Sequence, residues 1–284
     1  MESGERPIAE LPSATAESAE ISRRLAGRRP AVFLDYDGTL TPIVDRPEDA
    51  LISESMRSAV RRLAKHCPVG VVSGRDRRVV QELMGVDDLI VAGSHGFDIW
   101  SPSGGTIQRQ EGSEFGDLLQ QVRGRLSEEL GSIPGALVEP KSNSVAAHFR
   151  LVAEEQRPRV KEVVDRILAE NPGKLKVTPG KMVFEIQPNI DWDKGKAVLY
   201  LLHALDLDGE DVLPIYVGDD ITDEDAFEAL SGRGLGIYVG RADDPEVAGR
   251  MTSADYIVGG MEEVEQFLDL VGRSAGAGSA AGSG

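Results

Sequence analysis

Asp35 and Asp37 stand two apart in FLDYDGTLTP (33–42), where an apolar run ends. Neighbouring carboxylates repel, burial raises the cost, and a bound cation is the natural resolution. Gly38 allows a sharp turn that bares backbone N–H groups to an anion. The same residues would also serve as a helix cap followed by an Asp-Gly turn. IYVGDDITDED (215–225) is a second acidic strand end, with Asp219, Asp220 and Asp223 converging just ahead of a helix. The helix dipole alone favours acids there, but two such strand ends in one sheet favour a shared site. Carboxylate oxygens with room for water suit Mg²⁺, and no cluster has the Cys and His spacing of zinc. VVSGR (71–75) brings Ser73 and then Arg75 to a third strand end, and Lys194 opens a helix in NIDWDKGKA (189–197). A strand-end Ser-Gly also makes an ordinary turn, and a lysine at a helix start is often merely solvated. Taken jointly, the acids, the hydroxyl and the lysine point to phosphoryl transfer.

For these groups to meet, their strands must end at one edge of one sheet. AVFLDY (31–36), PVGVVSGR (68–75) and LIVAGSHG (89–96) are near-continuous apolar runs, as buried parallel strands are. Between them, SESMRSAVRRLAKH (53–66) sets Met56, Ala59, Val60 and Leu63 at helical spacing with Ser53 as N-cap. DRRVVQELMG (76–85) is a helix closed by Gly85. This rhythm predicts a parallel sheet with right-handed crossovers, whose carboxyl edge binds ligands in open α/β folds. It resumes with a helix at 193–205 and strands at 212–220, 234–240 and 254–260, interleaved with helices near 223–231, 244–250 and 261–271.

The middle of the chain follows another pattern. FDIWSPSGGTIQRQ (97–110) reads as a hairpin turning at Gly104 and Gly105. Helices at 113–130 and 154–170 accompany two alternating strands. SVAAHFR (144–150) sets Val145, Ala147 and Phe149 against Ser144, His148 and Arg150. MVFEIQ (182–187) sets Met182, Phe184 and Ile186 against Lys181, Glu185 and Gln187. Such alternation predicts an antiparallel sheet with one face on helices and one face wet. The wet face carries charges of both signs, as a polar-ligand surface would. The expected fold is therefore α/β: a Rossmann-like parallel core in two parts, 29–110 and 189–272, with an inserted α/β cap over 111–188 containing the antiparallel sheet. The crossings near 110–113 and 187–192 would be its hinges. Residues 1–28 read as a lead-in, and 273–284 as a flexible tail dominated by Gly, Ala and Ser.

Thirty-one Lys and Arg against 48 Asp and Glu give a net charge of −17, which argues against nucleic acid or anionic membrane as a partner. The lone Cys67 cannot form an internal disulfide. No apolar run is long enough for a transmembrane helix, and the acidic N-terminal stretch lacks a signal-peptide core. A soluble cytoplasmic enzyme is the expectation. The sequence fixes no oligomeric state and is compatible with a monomer. No GxGxxG follows the first strand, against a dinucleotide module.

The ordered set Asp35, Asp37, Gly38 and Thr39, then Ser73, Lys194, and Gly218, Asp219 and Asp223 resembles the four motifs of the haloacid-dehalogenase superfamily of phosphatases. More narrowly, FLDYDGTLTPIV, VVSGRD, AGSHGFDI, KSNSVAAHFR, GKMVFEIQP, DWDKGKA and VGDDITDEDAF resemble the trehalose-phosphate phosphatase family over residues 31–227. The resemblance implies a haloacid-dehalogenase-like core with the larger, α/β type of cap, acting on trehalose 6-phosphate with Mg²⁺. It implies that Asp35 is the nucleophile, forming an aspartyl-phosphate. Asp37 would protonate the leaving sugar oxygen and then serve as general base for water. Mg²⁺ would be held by Asp35, the Asp37 backbone carbonyl and Asp219, with Asp223 acting from behind them. Ser73 and Lys194 would hold phosphoryl oxygens, and Thr39 would fix the phosphate-facing loop.

By the same resemblance, Glu139, Lys141, Arg150, Lys181 and Glu185 on the cap would bind trehalose hydroxyls, and Arg75, His95 and Gly96 would contact substrate from the core. Gln187 departs from the family pattern, which more often has Arg there. Trp100 and Trp192 would stack on a sugar ring or pack a hinge, and His66 and His203 are expected to be structural. A sucrose-phosphate phosphatase or a phosphohexomutase with this cap type would share the core. A non-catalytic domain sensing trehalose phosphate would have lost Asp35, Asp37 or Asp219, and all three are present.

Overall fold

The computed structural model describes residues 5–44, 46–102, 105–108, 115–141, 143–180, 182–244, 247 and 249–281. The expectations at Gly104, Lys181 and the crossing at 110–113 lie outside the described residues. The chain opens with β1 (Arg6–Pro7), α1 (Ser18–Leu25), β2 (Arg29–Leu34), α2 (Glu54–Ala64), β3 (Val69–Val72), α3 (Arg77–Met84), β4 (Ile90–Gly93), β5 (Asp98–Ser101) and β6 (Gly105–Gln108). Then come α4 (Gly116–Leu130), β7 (Leu137–Pro140), β8 (Val145–His148), α5 (Arg157–Glu170), β9 (Leu175–Gly180) and β10 (Val183–Pro188). It closes with α6 (Lys194–Ala204), β11 (Val212–Gly218), α7 (Glu224–Leu230), β12 (Leu235–Val239), β13 (Met251–Thr252), β14 (Tyr256–Val258) and α8 (Met261–Ala281). Two compact units result, 1–107 with 192–284, and 108–191. The second unit reaches three residues beyond the expected 111 and 188 at each end.

In the first unit the strand order is β14-β12-β11-β2-β3-β4-β5-β6. Pairing is parallel from β14 through β4, and β5 joins antiparallel. The chain steps from β2 to β3 and β4 on one side, and later lays β11, β12 and β14 on the other. Loops therefore diverge between β2 and β11, which opens a crevice at the carboxyl edge. Val32 and Leu34 pack with Ile21, Val60, Val80 and Phe267 from α1, α2, α3 and α8. Ala31 and Phe33 pack with Val198, Leu201 and Phe227 from α6 and α7. Helices on both faces are why the strands read as unbroken apolar runs. Ser53 caps α2 by accepting the Met56 N–H at 3.1 Å, and Gly85 closes α3 with φ of +57°.

Two expectations change here. The lead-in is part of the core: Ile8, Leu11, Ala14, Ile21 and Leu25 are buried, and β1 pairs with β13. In the stretch expected as a helix near 244–250, the N–H groups of Val247 and Arg250 each bond three residues back, and 245, 246 and 248 lie outside the described residues. The tail is helical as far as Ala281, because alanine extends a helix already nucleated by packing. Its glycines permit close approach to the end of α2, and a Cβ on Gly276 would come within 3.3 Å of the His66 ring. Among the described residues no helix is long and apolar enough to cross a membrane.

The second unit holds an antiparallel sheet in the order β7-β8-β10-β9. Val145, Ala147, Leu175 and Ile186 face Leu126, Val160, Val164 and Ile167 of α4 and α5. Met182 departs from the expected apolar face, since it sits in a left-handed turn (φ +66°) before β10 with its side chain outward. Arg150 lies exposed in the turn after β8 rather than within the strand.

Candidate active site

Leu34 of β2 lies in register with Val217 of β11, and the Asp35 amide donates to the Val217 carbonyl at 2.9 Å. Asp35, one residue beyond Leu34, and Asp219, two beyond Val217, therefore both emerge at the crevice. Between Asp35 and Asp223 sits Lys194, with Nζ 2.9 Å from Asp35 Oδ1 and 2.7 Å from Asp223 Oδ1. Lys194 is the first residue of α6, whose cap is Asp193, accepting the Lys196 N–H at 2.7 Å. A cation at a helix N-terminus opposes the dipole, so its burial there rests on the two carboxylates. Burial works against the Lys194 charge, but Asp35 and then Asp223 raise its pKa above the ordinary lysine value. Gly195 lets α6 come this close, since a Cβ would lie 2.1 Å from the Asp225 carbonyl oxygen.

Asp223 is fully buried, and each of its oxygens accepts two hydrogen bonds. Oδ1 takes Lys194 Nζ and the Tyr216 hydroxyl at 2.7 Å, and Oδ2 takes the amides of Asp219 (3.0 Å) and Asp220 (2.9 Å). Asp223 thus orients its neighbours. Asp220 turns outward and caps the following turn by accepting the Ile221 N–H, so the helix-dipole explanation applies to it.

Ligand oxygens of Asp35, Asp219 and Asp223 lie within 4.8 Å of one another. Burial pushes Asp35 up to about 7 against the pull of Lys194. Burial, and then the charges of Asp35 and Asp223, push Asp219 up to about 8. An all-oxygen cradle in which one lysine fails to settle the acids fits a hard divalent cation. Thr39, buried, donates to Asp219 Oδ1 at 3.4 Å and ties the two loops together.

Ser73, at the end of β3, is buried and accepts the Arg75 amide at 3.1 Å. The Arg75 guanidinium clasps Asp37, with Nε to Oδ2 at 2.7 Å and Nη2 to Oδ1 at 2.6 Å. After β4, Ser94, His95 and Gly96 all adopt positive φ (50°, 56° and 93°). This bend brings the His95 amide to the Ser73 carbonyl at 2.8 Å and sets its ring over Gly74, where a Cβ would lie 2.8 Å from it. Gly96 has a packing reason, because a Cβ there would meet that of Ala197 at 2.3 Å. Trp192 donates to the His95 carbonyl at 3.0 Å and packs on Phe97 and Tyr200, a structural use of that ring.

In the second unit Glu139, Ala146, Glu185 and Thr178 form one row across the wet face. Glu185 accepts from Lys141 Nζ at 3.1 Å and from the buried Ser144 hydroxyl at 2.6 Å. Glu139 pairs with His148 at 2.7 Å, and Gln187 donates to Thr178 at 2.9 Å. Glu139, Lys141 and Glu185 thus share the wet face, Arg150 is exposed in the turn after β8, and Lys181 is outside the described residues. Tyr216, Ser144 and His148 were missing from the expected set. A tyrosine inside an apolar strand was a signal, because a buried hydroxyl needs a partner.

A sequence model of the trehalose-phosphatase family matches residues 33–256. A trehalose 6-phosphate phosphatase of Zea mays is 41% identical over 281 residues, covering 94% of this chain and 76% of that protein. The trehalose-phosphate phosphatase of Mycobacterium avium is also 41% identical, over 96% of this chain and 71% of its own length. The solved structure of Aspergillus fumigatus trehalose-6-phosphate phosphatase superposes with a TM-score of 0.65 at 25% identity, over 93% of this chain and 99% of that one.

Proposed function

The chain belongs to the trehalose-phosphatase family and is a phosphatase, and from that premise we propose that it hydrolyses trehalose 6-phosphate through an aspartyl-phosphate on Asp35, with Mg²⁺ as cofactor. The observation that supports this most is the buried Asp35 and Lys194 pair beside Asp219 at the point where the strand order reverses. Lys194 and Ser73 hold phosphoryl oxygens while an Asp35 oxygen attacks phosphorus. Asp37 protonates the departing sugar oxygen, then takes a proton from the water that cleaves the aspartyl-phosphate. Asp35, Asp219 and the Asp37 carbonyl would hold Mg²⁺, with Asp223 fixing their orientation. When bound, the cation supplies charge that offsets repulsion between nucleophile and phosphate. Glu139, Lys141 and Glu185 on the wet sheet face select the disaccharide by hydrogen bonds to its hydroxyls.

The test is phosphate release from trehalose 6-, sucrose 6- and glucose 6-phosphate, with Mg²⁺ or EDTA, for the wild type and Asp35→Asn. Preference for trehalose 6-phosphate, lost with EDTA and in the variant, is the expected result. Preference for another sugar phosphate overturns the substrate and keeps the core chemistry. No metal-dependent release from any ester overturns the mechanism.

A further inference from the structure

Asp37 is half exposed, with 40% of its side chain reaching solvent, yet both its oxygens are held by one guanidinium. That guanidinium is itself fixed. The Arg75 side chain is largely buried, its guanidinium carbon lies 5.4 Å over the Tyr36 ring, and the Tyr36 hydroxyl donates to the Ala50 carbonyl at 2.7 Å. The Arg75 backbone is pinned as well: its amide donates to Ser73 Oγ at 3.1 Å and its carbonyl accepts from the Ser94 amide at 2.7 Å. A planar fork on a carboxylate fixes direction as well as distance. The anchored fork therefore aims an otherwise mobile carboxylate.

We propose that Arg75 is a positioning residue for proton transfer, holding the Asp37 carboxyl on the line to the departing sugar oxygen. The proposal rests on the reading of Asp35 as nucleophile and Asp37 as proton donor. In that step an Asp35 oxygen bonds to phosphorus and the bond from phosphorus to the sugar oxygen breaks. The electron pair stays on the sugar oxygen, which receives the Asp37 proton. One arm of the fork lets go while the carboxyl carries that proton, and the other keeps it aimed. A direct grip on the phosphoryl group is the competing role, and it requires Nε and Nη2 to leave Asp37.

The two roles separate by leaving group. A sugar alkoxide needs a proton to depart, and nitrophenolate does not. The measurement is kcat/KM, which reports only steps through transfer to Asp35, for trehalose 6-phosphate and p-nitrophenyl phosphate with Mg²⁺. The full-length wild type, Arg75→Ala and Arg75→Lys are compared. Arg75→Ala is expected to lose on the order of 100-fold on the sugar ester and less than about threefold on the aryl ester. Arg75→Lys keeps the charge on a single donor nitrogen, and should recover part of the sugar-ester loss. It also carries the comparison should the alanine variant fail to fold. In an Asp37→Asn background, Arg75→Ala should cost little more. Equal losses on both esters, or full additivity with Asp37→Asn, overturn the role of Arg75 alone. A wild type inert towards both esters overturns the phosphatase mechanism itself.

Discussion

A Cβ on Gly38 would lie 2.0 Å from Asp219 Oδ2, so the loops after β2 and β11 meet with no room for a side chain. Gly38 also holds a φ of +81°, a region that alanine adopts at a cost of about 1–3 kcal/mol. Gly38→Ala therefore displaces Asp219 from the acid cradle. The expected outcome is a loss of roughly 10–100-fold in Mg²⁺ affinity, with activity at limiting Mg²⁺ falling in step. Calorimetric titration of the folded variant with Mg²⁺ reads this directly. An unchanged affinity would remove Asp219 from the ligand set.

Lys194 pairs with both Asp35 and Asp223, and all three side chains are buried. Lys194→Met leaves two buried carboxylates without their cation, and should cost roughly 3–5 kcal/mol by urea unfolding in EDTA. Adding Asp35→Asn removes one of the stranded charges, so the double variant should be more stable than Lys194→Met. A single variant as stable as the wild type would mean that the lysine is not the counter-charge it looks to be.

The strand ends were legible because acids interrupt long apolar runs, and a sheet buried on both faces writes such runs into the sequence. Asp35, Ser73 and Asp219 could be placed at one edge for that reason. Where each side chain goes was not legible. Arg75 reaches a carboxylate 38 residues earlier, and Ser144 one 41 residues later, in pairings set by strand neighbours rather than by spacing. Edge strands β7 and β9 left little periodic trace, since LVEP and LKVTPG mix charge and proline with few apolar residues. The first 28 residues read as a lead-in for a related reason. Their apolar side chains are sparse, and only the fold shows that Ile8, Leu11 and Ala14 are buried.

Removing residues 1–16 tests that last point. Ile8 and Leu11 are almost completely buried, and a fully buried aliphatic side chain contributes about 1.5–3 kcal/mol. Loss of β1 also frees the backbone of β13. The truncated chain should unfold at lower urea by several kcal/mol while keeping its secondary structure. A midpoint equal to that of the full chain would return the segment to a dispensable lead-in.

The acid centre also sets a pH dependence. Asp35 and Asp219 hold protons up to about 7 and about 8 in the fold, whereas unfolded aspartate releases them near 4. Between those limits the folded state binds more protons, so the stability of the metal-free protein falls as pH rises, and levels off above about 8. Mg²⁺ binds the ionised acids. Its stabilisation should therefore be small at about pH 5 and largest near pH 8. Thermal unfolding with EDTA and with Mg²⁺ across that range shows it, and a metal effect independent of pH would contradict the assignment.

Glu185 separates sugar recognition from phosphoryl chemistry. Its carboxylate is held by Lys141 at 3.1 Å and Ser144 at 2.6 Å on the wet face of the antiparallel sheet. A carboxylate fixed in this way can accept hydroxyl hydrogen bonds without reorganising, and each charge-assisted bond contributes about 1.5–3 kcal/mol. Glu185→Ala should therefore lower kcat/KM for trehalose 6-phosphate by roughly 10–100-fold. Hydrolysis of p-nitrophenyl phosphate, which presents no sugar hydroxyls, should be unchanged because Asp35, Ser73 and Lys194 are untouched. Equal loss on both esters would make the effect structural. Full activity on trehalose 6-phosphate would mean that the disaccharide is recognised elsewhere, and the wet row of Glu139, Glu185 and Thr178 would lose its role.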